Sequence, residues 1–111
     1  MDRTDLEHRL VALEARFGGY HTKVPWNVRS QYAPEPRLDW MTGGDRMSVH
    51  GYAPVYAEVL ASITPWVIVE LGILRGTGLA VWCDLFPTAR VIGLDIDLQH
   101  FAGNFDFLRE R

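Results

Sequence analysis

The chain has 111 residues, 48% of them apolar and 23% charged, with a net charge of -3, which bounds it to one small globular domain. No run of Lys or Arg supplies an electrostatic footprint, so neither nucleic acid nor an anionic membrane surface is an expected partner. The single cysteine, Cys83, cannot form an intrachain disulfide, and no apolar run approaches the roughly 20 residues of a spanning helix.

The N-terminus, MDRTDLEHRL, lacks the apolar core of a secretory signal, so the expected compartment is the cytoplasm. Thr4 to Phe17 reads as a helix. Thr4 with Glu7 makes a capping box, and Leu6, Leu10, Leu13 and Phe17 recur at spacings of four, three and four. Gly18 and Gly19 end it. Tyr20 to Trp40 has no sustained periodicity; Pro25, Pro34 and Pro36 break it, and Trp26, Tyr32 and Trp40 make it adhesive. Such a stretch is either a lid over a site or an arm packed on the domain or on a partner. Helix and arm together (1–42) offer a route to a homo-oligomer.

Gly43-Gly44-Asp45 is turn chemistry, and Pro54 stands at a tolerated first-turn position of a second helix, Ala53 to Ser62. Val55, Val59 and Leu60, with Ile63 following, are its expected buried face. Trp66-Val67-Ile68-Val69 is too short for a helix between Pro65 and the glycines, and its β-branched residues predict a strand buried on both faces. A helix from Leu79 to Phe86 follows, with Cys83 expected to pack inertly within it, and Pro87 closes it. A second strand runs from Arg90 to Leu94. Strand, helix and strand of these lengths predict a parallel pair joined by a right-handed crossover. Leu98 to Arg109 is a last helix, with Asp97 as its cap and Gly103 and Asn104 as weak points.

The chemistry concentrates between the strands. Glu70-Leu71-Gly72-Ile73-Leu74-Arg75-Gly76-Thr77-Gly78 leaves the carboxyl end of the first strand, where open α/β sheets bind ligands. Gly72 permits a sharp turn and a close ligand, and Gly76 and Gly78 keep the helix start clear. Asp95, which follows Gly78 by 17 residues and Glu70 by 25, is the right type to accept hydrogen bonds from both hydroxyls of a ribose. A phosphate-binding loop of the NTPase type is excluded, because Gly76-Thr77-Gly78 carries no lysine. A dinucleotide fingerprint fits less well, with Val81 where the third glycine belongs and with Glu70 placed to repel a pyrophosphate. S-adenosylmethionine, with its ammonium, sulfonium and ribose, suits the two acids better.

Glu70-x-Gly72-x-x-x-Gly76-x-Gly78, followed by Val91-Ile-Gly-Leu-Asp95-Ile-Asp97, resembles motif I and the second-strand acid of class I S-adenosylmethionine-dependent methyltransferases. Upstream, Gly44-Asp45-Arg46, His50-Gly51-Tyr52 and Tyr56 are similar to the G-D-K…H-G-Y…Y segment of a bacterial subgroup that tails antibiotics and sugars and includes cephalosporin-hydroxylase-like proteins. The resemblance runs from Gly43 to Phe105. It implies an α/β fold, the N-terminal portion of a Rossmann-like methyltransferase: helices plus the first β-α-β unit of a parallel sheet. Residues 43–111 would then be a partial S-adenosylmethionine-binding domain, the family's later strands lying beyond it in a truncated or incompletely recorded chain.

The resemblance implies further that Glu70 and Gly72 contact the methionine part of S-adenosylmethionine, that Gly76 and Gly78 shape the turn, and that Asp95 holds the ribose. The activity implied is methyl transfer to a small-molecule acceptor, an oxygen of a sugar or secondary metabolite. Some relatives add a magnesium ion, but His8, His21, His50 and His100 show no metal-ligand spacing and no ligand is assigned here. His50 is the one candidate base. The alternatives are an NAD(P)-binding oxidoreductase domain and a non-catalytic fragment.

Overall fold

The computed structural model describes residues 1–18, 46–48 and 50–111. The arm from Tyr20 to Trp40 and the Gly43-Gly44-Asp45 turn lie outside the described residues. In chain order the described elements are α1 (Arg3–Gly18), α2 (Ala53–Leu60), β1 (Val67–Leu71), α3 (Thr77–Leu85), β2 (Arg90–Leu94) and α4 (Gln99–Arg109). This is an α/β arrangement, with β1 and β2 paired in parallel through α3.

The stripe of α1 is buried as its spacing predicts: Leu6, Leu10, Leu13 and Phe17 all enter the core. Its start is corrected. Asp2 rather than Thr4 caps it, the Asp2 carboxylate accepting from the Thr4 and Asp5 N–H groups at 2.8 and 3.2 Å. Helix α1 lies across α2 and α3, and the shared core adds Met47, Ala53, Ala57, Val81, Trp82, Leu85 and Leu108. Ion pairs from Arg9 and Arg16 to Asp84 trim the α1–α3 seam at 3.3 and 3.8 Å, and such exposed pairs contribute little.

Helix α2 is rotated from its predicted orientation. Ala53 and Ala57 face inward, with Tyr56 and Leu60 half-buried beside them, whereas Val55, Val59 and Ile63 stand in solvent. The two alanines allow close approach to α1, and an edge-on contact of Tyr56 with Trp82 (ring centroids 5.3 Å apart) fixes the rotation. Periodicity alone does not choose between two apolar faces of an eight-residue helix.

The strands correct a second expectation. They pair Val67 with Arg90, Val69 with Ile92 and Leu71 with Leu94 on one face, and Ile68 with Val91 and Glu70 with Gly93 on the other. Helix α3 covers only the second face, where Leu79 and Ile73 fill the space above Gly93. On the first face Val67, Val69, Leu71 and Leu94 are exposed, Leu71 at 77%, so neither strand is buried on both sides. Cys83, expected to pack inertly, also reaches solvent, though partial burial of its thiol pushes the pKa up. Among the described residues no helix is long and apolar enough to cross a membrane.

Leu10→Ala should cost about 2–5 kcal/mol of unfolding free energy, because Leu10 is fully enclosed between helices. Val59→Ala on the open side of α2 should stay within about 0.5 kcal/mol. Urea titrations of the two variants check the rotation of α2; a large loss at Val59 would contradict it.

Candidate functional site

The glycine turn between β1 and α3 is built from three backbone devices. Gly72 (φ 81°) and Gly76 (φ 88°) adopt the left-handed region, and Leu74 joins them at φ 44°, a conformation that costs a branched residue energy. Gly76 donates its N–H to the Ile73 carbonyl at 2.7 Å, closing the turn. The first N–H groups of α3 follow directly, so the positive end of its dipole lies at this corner.

Asp95, just beyond β2, fastens the turn to the sheet. Its Oδ2 accepts from the Ile73 and Leu74 N–H groups at 2.9 and 3.1 Å, and its Oδ1 from the Asp97 N–H at 3.2 Å. The Asp97 and Ile73 amides, with those of Leu74 and Ile96, hold its carboxyl below the usual aspartate range against a smaller opposing effect of burial. A carboxylate offers about four lone-pair sites, and Asp95 directs most of them at the backbone it secures. The expected cap is corrected by one residue: Leu98 stands at the N-cap of α4, and Asp97 before it accepts from the Gln99 N–H at 2.9 Å.

Glu70 takes a different place from the one expected of a ligand-facing acid. It is 8% exposed, and its Oε2 accepts from the Trp82 indole N–H at 2.6 Å and from Arg46 Nη1 at 3.1 Å. Its carboxylate also lies over Gly78: a Cβ built there would sit 2.5 Å from Oε1. Gly78 is therefore demanded by the protein's own acid. Burial, the largest single effect, would lower the Arg46 pKa, but Glu70 and Tyr56 together outweigh it and hold the guanidinium above its ordinary value. Gly76 is likewise demanded from within, since a Cβ there would meet Phe101 of α4 at 2.5 Å. Gly72 differs from the other two: among the described residues nothing lies within 4 Å of its Cβ position. A ligand can approach the backbone there.

Three residues of this corner carry no motif signal of their own. Glu14 of α1, 3% exposed, accepts from the Met47 N–H at 2.6 Å and the Ser48 N–H at 3.2 Å, and so fixes the segment that carries Arg46. Trp82 was legible only as a core position. Asn104 has the strength of an anchor rather than the weakness expected of it: it is buried in α4, donating to the Arg75 carbonyl at 3.0 Å and accepting from Arg75 Nη2 at 3.4 Å. A capping-like pairing of a polar residue with a loop carbonyl has no fixed sequence spacing, which is why it escaped.

His50 is exposed at the approach to α2, where it tilts against Tyr52 with ring centroids 5.9 Å apart; Tyr52 leads on to Tyr56, and Tyr56 to Trp82. Among the described residues no group of three His, Cys, Asp or Glu is close enough to hold a metal ion. Comparisons of the chain with protein-family models, with curated proteins and with solved structures give no match.

Two outcomes follow from this geometry. Gly76→Ala combines a left-handed backbone with the Phe101 clash and should lose more stability, about 1–3 kcal/mol or above, than Gly72→Ala, which meets only the backbone strain; thermal melts rank them. The depressed Asp95 pKa contributes stability that is present above the ordinary aspartate value of about 3.9 and is lost as pH falls through its lower folded value. The melting temperature of Asp95→Asn should therefore fall less steeply below about pH 4 than that of the unaltered chain, and parallel profiles would contradict the assignment.

Proposed function

We propose that the glycine turn binds S-adenosylmethionine in a Rossmann-like unit and serves class I methyl transfer to a small-molecule acceptor. The observation that carries this reading is the joint placement of Asp95 and Gly72. An ionised acid stands at the carboxyl end of β2, tied to the turn in which Gly72, following β1, meets nothing among the described residues at its Cβ position. That is the arrangement a nucleoside needs, with a backbone to lie against and a carboxylate for its ribose.

Cofactor choice rests on Glu70, for a revised reason. Its carboxylate already lies beside the first turn of α3, the position a bound pyrophosphate takes in a dinucleotide fold. The space is filled as well as negatively charged. Val81, where that fingerprint has its third glycine, is 1% exposed and belongs to the core. When bound, the sulfonium supplies an electrophilic methyl group for in-line transfer to an acceptor oxygen or nitrogen. The chain's own part is to orient the nucleoside through Asp95, to hold the turn open at Gly72, and to keep Glu70 in place with Trp82 and Arg46. A base for the acceptor's proton is not assigned; His50, exposed and tilted against Tyr52, is the candidate the sequence offers.

One observation favours a second reading. Arg46 offsets the charge of Glu70, so a pyrophosphate would meet less repulsion than the sequence suggests. Titrating S-adenosylmethionine and NADH side by side by calorimetry separates the two. S-adenosylmethionine should bind and NADH should not, and Asp95→Ala should weaken binding by roughly tenfold or more, the worth of a hydrogen bond to a charged group. Binding of NADH alone would overturn the proposal. Binding of neither would favour the non-catalytic alternative.

A further inference from the structure

Between the glycine turn and the start of α2 lies a charged cluster whose polarity is the reverse of what the motif suggests. Glu70 is the acid of the motif, but it is buried and its Oε2 already accepts two donors. Arg46 stands against it with its side chain 32% exposed, compared with 8% for Glu70. Of the two paired side chains, Arg46 is the one solvent reaches more. Within this pair the charge nearer to solvent is therefore positive.

Arg46 is also held firmly in place. Its segment is pinned from α1, where the buried Glu14 carboxylate accepts from the Met47 and Ser48 N–H groups and from the Ser48 hydroxyl at 2.6, 3.2 and 3.1 Å. On the other side its carbonyl accepts from the Tyr52 N–H at 3.1 Å, where α2 begins. The guanidinium faces Glu70 and the Tyr56 hydroxyl. A guanidinium carries five N–H donors in a planar fork, and the contacts with Glu70, through Nη1, and with Tyr56 leave donors over. The fork matches a planar carboxylate.

We propose that Arg46 is a specificity-determining residue of the turn, receiving the carboxylate at the amino-acid end of the ligand while Glu70 serves as its positioning counter-ion. This deepens the reading of the turn as an S-adenosylmethionine site and rests on it. It predicts that the protein distinguishes two ligands with the same adenosine, sulfonium and amine by the presence of the carboxylate alone.

The test uses S-adenosylmethionine and its decarboxylated form as probes, titrated calorimetrically into the full 111-residue chain and three variants. The unaltered chain should prefer the carboxylated ligand on the order of ten- to a hundredfold, the range of charge-assisted hydrogen bonds. Arg46→Met should abolish the preference, and Arg46→Lys should keep part of it by retaining the charge without the fork. Because Arg46→Met leaves a buried carboxylate without its counter-ion, Arg46→Met/Glu70→Gln is measured beside it, with circular dichroism to confirm folding; it should show the same loss. A preference that survives in the folded double variant, or no preference in the unaltered chain, overturns the role of Arg46 while the nucleoside reading stands. Tighter binding of either probe on removal of Arg46 would show competition for Glu70 and overturn it too. If neither probe binds the unaltered chain, the nucleoside reading falls and this inference with it.

Discussion

The buried carboxylate of Glu70 is the constraint on which the rest of the corner depends. It belongs to a strand, accepts from the indole of α3, opposes a guanidinium from the segment before α2, and excludes a side chain from Gly78. A charge removed from water is costly unless it is paired and hydrogen-bonded, and removing one partner of a buried pair typically costs about 3–5 kcal/mol. Strand β1, helix α3 and the approach to α2 are thereby required to meet at one point. Glu14 extends the requirement to α1, since its carboxylate fixes the backbone that brings Arg46 to the strand.

The same constraint shapes what the turn can hold. With Glu70 lying beside the first turn of α3, the protein supplies its own anion to the helix dipole. Among the described residues the backbone stays open instead at Gly72, beside the ionised Asp95. The far side of the turn is closed by Phe101 against Gly76 and by Asn104 on the Arg75 carbonyl, so α4 acts as its back wall. A nucleoside with a charged amino-acid tail fits this division better than a molecule that needs the helix N-terminus for phosphate.

Much of the fold was legible because it is written in periodicity. The α1 stripe, the extent of β2 and the parallel β1-α3-β2 unit follow from spacing and from strand-type residues bounded by proline and glycine. The misses have physical reasons. The apolar spacing of α2 predicts Val55 and Val59 inward, but close helix approach favours Ala53 and Ala57 there. The strands were read as buried on both faces from composition, which reports what a strand can bury and not what is there to cover it. In the site, the glycine positions and Asp95 were placed correctly on the turn and at the strand end. The reasons for two of the glycines were not, because Gly76 and Gly78 answer to Phe101 and Glu70, contacts that no local pattern encodes. Glu14 and Asn104 were invisible for the same reason: each satisfies a distant backbone group, and such pairings have no fixed spacing.

The most direct test of the central claim is the indole N–H of Trp82, followed by ¹⁵N–¹H NMR, assigned by Trp82→Phe and compared with Glu70→Gln. A short charge-assisted bond of 2.6 Å to a buried carboxylate predicts a resonance shifted well downfield, slow to exchange with solvent, that moves upfield when Glu70 loses its charge. An unshifted, rapidly exchanging Trp82 resonance that does not respond to Glu70→Gln would contradict the account.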